Sequence, residues 1–108
     1  MKAVFINAEK QAVEDIEIEN DLNVIYNKID CGIVQGIRTG GTRTEYLLCD
    51  EEACFKDMNF GFILRALNNT LILGNALIVE GKYGDLCDVE RSAAEIRKEI
   101  DFWERSLA

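Results

Sequence analysis

The chain has 108 residues, 48% hydrophobic and 30% charged, with twenty acids against twelve bases and neither histidine nor proline. That length holds one domain spanning residues 1–108, burying about two thirds of its unfolded surface, which fits neither a disordered chain nor a deep multi-lobed cleft. A net charge of −8 repels nucleic-acid phosphates, and no stretch nears the roughly 20 apolar residues of a membrane-spanning helix, so neither direct binding to duplex nucleic acid nor a membrane protein is expected.

Residues 2–7 form a short apolar run between polar residues and read as a strand. Residues 13–19 alternate, with Glu14, Ile16 and Ile18 on one face and Val13, Asp15, Glu17 and Glu19 on the other. This predicts a half-buried strand carrying a carboxylate row on its outer face. Asn20 or Asp21 can cap a helix over about 21–30, because Leu22, Ile25 and Ile29 recur at helical spacing and Gly32 follows its end. Two β-prone runs around Gly40-Gly41 then predict a hairpin, since glycine accepts the positive φ of tight primed turns. Residues 50–52 are three consecutive acids, which read as a solvated loop.

Asn59 can cap a helical piece holding Phe60, Ile63, Ala66 and Leu67. Residues 70–73 and 76–80 read as strands joined near Gly74-Asn75, and their unbroken apolar runs place at least one at the centre of a covered sheet. At the end, Val89, Ala93, Ile96, Ile100, Trp103 and Leu107 alternate in steps of four and three behind Asp88, a candidate N-cap. The expectation is a long C-terminal helix over about 88–106, packed on the sheet or contributing to a homodimer through Ile96, Ile100 and Trp103. The fold expected is α+β: a mostly antiparallel sheet of five or six strands, one short helix and this long one.

Chemistry has few places to sit. Without histidine no Ser–His or Cys–His relay exists, and no two of the twenty carboxylates are singled out as an acid–base pair, so a non-enzymatic protein is expected. Cys31, Cys49, Cys54 and Cys87 contain no C-x-x-C pair, so no metal site or cofactor is expected. The apolar opening run is far shorter than the about 7–15-residue core of a secretory signal, which predicts a cytosolic protein with reduced thiols.

Two segments point to binding. Arg38, Thr39, Gly40, Gly41, Thr42 and Arg43 combine backbone donors, hydroxyls and two guanidinium groups, a set suited to cradling a nucleotide-like anion. The spacing is not that of a P-loop. Asp15, Glu17 and Glu19 stand on one strand face about 6.6–6.8 Å apart, two residues of rise. That spacing broadly matches successive phosphates of a nucleic-acid strand, so the row can occupy a basic groove on another protein. Its simpler role is to guard an edge strand against aggregation. The negative charge is concentrated there: residues 1–57 hold twelve acids and six bases, residues 58–108 eight and six.

The opening Met-Lys-Ala-Val-Phe-Ile, the acidic strand, the central hairpin, residues 71–79 and Asp85-Leu86-Cys87-Asp88 before the last element together resemble a domain-of-unknown-function family of small proteins encoded by phages, plasmids and other mobile elements. The resemblance implies a host-cell cytosol and a part in the contest or exchange between element and host; it carries no catalytic residue. The expected function is therefore non-catalytic: an acidic protein that occupies a basic site on a host protein, in defence or nucleic-acid handling. The alternatives are a small-ligand binder at the Gly-Gly hairpin and a minor enzyme with a carboxylate or thiolate centre.

Overall fold

The computed structural model describes residues 1–40 and 44–106. Its strands are β1 (Lys2–Asn7), β2 (Ala12–Glu17), β3 (Val34–Arg38), β4 (Glu45–Asp50), β5 (Phe60–Leu64), β6 (Thr70–Leu73), β7 (Ala76–Lys82), β8 (Asp85–Cys87) and β9 (Ile100–Glu104), with helices α1 (Leu22–Ile29) and α2 (Ala93–Arg97). One sheet runs β2-β1-β7-β4-β3, with β8 extending it beside β7, and a smaller one runs β6-β5-β9. Every pairing is antiparallel.

The larger sheet is covered on both faces. Val4, Ile6, Leu47 and Ile78 meet Phe62, Leu64 and Ile72 of the smaller sheet, with Ala93, Ile96 and Ile100 closing the same cluster. On the opposite face, Ala3, Phe5, Leu48, Leu77 and Val79 pack against Ile25 and Ile29 of α1. β7 lies at the middle of this sandwich, and five consecutive residues, Ala76 to Glu80, are buried. This double coverage is why its apolar run does not alternate. α1 is capped by Asp21, whose carboxylate accepts from the Asn23 and Val24 backbone N–H groups.

The long C-terminal helix expected over 88–106 does not form. α2 spans only Ala93–Arg97, and residues 100–104 are a strand that pairs with β5 from Leu64↔Ile100 to Phe60↔Glu104. The reason is tertiary demand. Ile-Asp-Phe-Trp-Glu is rich in β-branched and aromatic residues, and β5 would otherwise lack a partner on that side. Steps of three and four cannot separate one long helix from one helical turn followed by a strand, because Ala93, Ile96 and Ile100 reach the same core either way. Ser92, not Asp88, caps α2, in a reciprocal box with Glu95. Asp88 instead accepts from the Lys2 backbone N–H. Leu107 lies outside the described residues.

A second correction concerns Phe60 to Leu67, expected as helical. Residues 60–64 form β5, and only Arg65–Leu67 make a 3-10 turn. Phe62 and Leu64 enter the core at strand spacing. Gly61 also belongs to a strand: a Cβ there would collide with the Ile72 carbonyl of β6, so the close β5–β6 approach requires glycine.

Candidate functional site

β2 is the outermost strand of the larger sheet. Val4 pairs with Asp15 and Ile6 with Val13, so the Asp15 and Glu17 side chains leave the face that carries the inter-sheet core, at its border beside α2. Both are exposed, as is Glu19 just beyond the strand. They are not equivalent. The Asp15 carboxylate accepts from the Ala93 backbone N–H at 2.8 Å and so ties the start of α2 to the sheet edge. Glu17 lies 3.6 Å from the Met1 ammonium, with 73% of its side chain exposed.

Between this edge and the segment leading into α2 lies an open groove of about 430 Å³, lined by Asp15, Glu17, Glu90 and Glu95 together with Lys2 and Arg91. Arg91 does not offset the carboxylates of the groove, because it is held by two others. Its Nε and Nη2 donate to the two oxygens of Glu45 at 2.8 and 2.5 Å, and its Nη1 donates to Glu99 at 2.8 Å. Those bonds hold the guanidinium above its ordinary pKa against the opposing cost of burial. The charge left over in the groove is negative.

Glu45 and Glu80 were not singled out by sequence reasoning. They are register partners on β4 and β7, and both are fully buried. The signal for them was present. Glu45, Leu47 and Cys49 share one strand face, as do Ala76, Ile78 and Glu80, so each glutamate extends an inward-facing apolar series by one step. Burial pushes the Glu80 carboxyl above its ordinary value, the Thr44 hydroxyl bond opposes this, and the charges of Glu45 and Glu90 add to the rise.

Thr39 and Thr44, on either side of the hairpin tip, both bond to these carboxylates. Thr39 is buried, and its hydroxyl donates to Glu45 at 2.8 Å, turned inward instead of toward solvent. Thr44 donates to Glu80 at 3.2 Å. Gly40 has a φ of 98° and Arg38 is exposed. Gly41, Thr42 and Arg43 lie outside the described residues.

The proposed dimer residues do not form one face, because the helix that would align them is absent. Ile96 on α2 and Ile100 on β9 are fully buried in the inter-sheet core, and Trp103 is half-buried on β9 opposite Gly61. The buried Cys49 thiol is pushed up to about 11 by desolvation, with the charges of Asp50 and Cys31 adding. Desolvation also raises Cys31, so neither thiol is activated as a nucleophile. Among the described residues no group of three or more cysteines and acids is placed to hold a metal ion. No helix there is long and apolar enough to cross a membrane.

Comparison with protein-family models, curated proteins and solved structures finds no match to the chain.

Proposed function

We propose that the chain is a non-catalytic binding protein that presents its β2 border to a basic site on another protein. The observation that carries this reading is the convergence of Asp15, Glu17, Glu90 and Glu95 on one open groove whose nearest guanidinium is already paired elsewhere. A cationic surface meeting that groove gains Coulomb attraction at a solvent-exposed site, where association is fast at low salt and weakens as salt screens it. The partner class is a basic host protein of the kind that handles nucleic acid, and the setting is a phage- or plasmid-borne accessory protein acting in the host cytosol.

The test is retention on the immobilised chain. A bacterial lysate is passed over it at low and at high salt, beside a chain carrying Glu17→Gln and Glu19→Gln. Basic nucleic-acid-handling proteins retained at low salt, released at high salt and absent from the variant column support the reading. Retention of none, or retention indifferent to salt and to both substitutions, contradicts it.

A further inference from the structure

The larger sheet ends on β2 and β3, and the smaller on β6 and β9. A strand at such an end exposes a row of unpaired N–H and C=O groups, and charged side chains on it deter pairing with other chains. β2 carries Glu14, Asp15 and Glu17, β9 carries Asp101 and Glu104, and β3 carries Arg38. β6 is Thr-Leu-Ile-Leu, without a single charge, and Leu71 on it is 42% exposed. Of these four edges it alone is unguarded.

The register shows what that edge offers. The Gly74 N–H donates to the Phe60 carbonyl at 2.8 Å, so in steps of two Phe62 bonds with Ile72 and Leu64 with Thr70. The N–H and C=O groups of Leu71 and Leu73 therefore point away from β5, where no further strand follows among the described residues. Beside them, between β6 and the β3–β4 border, opens a cavity of about 300 Å³. Ile37, Cys49, Ala53 and Ile72 give it apolar walls, and Glu51 adds a carboxylate to its lining. Asp50 is already paired with Lys56 at 2.5 Å, whereas Glu51 is exposed.

We propose that the β6 edge takes up an extended segment of another protein as an added strand, with an apolar side chain entering the cavity and a lysine or arginine meeting Glu51. Successive side chains of a strand point to opposite faces, so an incoming strand sends every second residue toward the cavity. Backbone bonds to Leu71 and Leu73 supply affinity whatever the sequence, and the cavity selects the residue that fills it. Charge disfavours a second copy as the occupant. Each chain is at −8, and self-pairing would bring the acids of another copy to a border that already carries Glu51. Four residues of strand against four also fall far short of the roughly 800 Å² per partner of a stable interface. A single segment needs only one edge and one cavity. The site lies across the larger sheet from the β2 border and does not depend on that border binding anything.

The test is a nitrogen-15 NMR titration of the full chain with a short synthetic peptide, lysine at both ends and valine alternating with threonine between. The amides of Leu71 and Leu73 should shift saturably and exchange more slowly with solvent, while those of Asp15 and Glu17 stay in place. A peptide with proline for its central valine lacks a ladder donor and should bind about tenfold more weakly or worse. Leu71→Lys puts a guarding charge on a part-exposed side chain and should weaken binding to a similar degree at an unchanged urea midpoint. Glu51→Gln should make the affinity less dependent on salt. No shift at Leu71 and Leu73, shifts confined to Asp15 and Glu17, or equal binding of the proline peptide overturns the proposal. So does a chain that sediments as a dimer until Leu71→Lys separates it, since the occupant is then a second copy.

Discussion

Across one end of the larger sheet, from β2 to β4, the same side chain is used in opposite ways. At the β2 border, Glu17 and Glu19 stand in water, where an ion pair is worth little and a carboxylate costs little to keep. On β7 and β4, in the same cross-strand row, Glu80 and Glu45 are buried on the inter-sheet face, where each oxygen must be paired or neutralised. The difference teaches where this protein has freedom. Changes at the buried pair alter the fold, whereas changes at the border are nearly free in stability and so are available to recognition. Asp15 stands between the two cases, exposed but bonded to the start of α2.

Substitutions graded across that contrast test it. Arg91→Ala leaves Glu45 buried beside Glu80 without its guanidinium, and urea denaturation should show the largest loss, about 3–5 kcal/mol. A loss below that of any border substitution would erase the contrast. Thr39→Val keeps the shape but removes the hydroxyl that donates to Glu45; the same measurement should show about 1–3 kcal/mol, the cost of depriving a buried charged acceptor of one donor. Asp15→Ala removes the acceptor for the Ala93 N–H, and a loss of about 1 kcal/mol should be matched by faster hydrogen exchange at Ala93. Smallest is Glu17→Gln, for which thermal and urea midpoints should stay within about 0.5 kcal/mol of the parent.

Much of this contrast could be read before the fold was known, but unevenly. The alternation of residues 13–19 and the helical spacing of Leu22, Ile25 and Ile29 are local patterns, and β2 and α1 follow them. Period two alone puts Asp15 and Glu17 on one face of β2, but that face is the one carrying the inter-sheet core, and Glu19 lies beyond the strand. What was not legible depends on partners distant in sequence. β9 is a strand because β5 lies beside it, some forty residues earlier, and no local period announces that. Glu45 and Glu80 are 35 positions apart, and only the register of β4 on β7 brings them together and makes their burial significant. Thr39 was read as a donor for a ligand, and its hydroxyl, like that of Thr44, is bonded to these carboxylates.

The separation of recognition from stability is tested most directly with one defined probe, a short peptide bearing lysine at every second residue. Binding to the parent chain and to the Glu17→Gln, Glu19→Gln double variant is measured by fluorescence anisotropy across a salt series, with urea unfolding of both chains alongside. The parent should bind at low salt with affinity falling as salt rises, and the variant should bind far more weakly while unfolding at the same urea concentration. Equal binding by the two chains, or weaker binding accompanied by a matching loss of stability, would contradict the account.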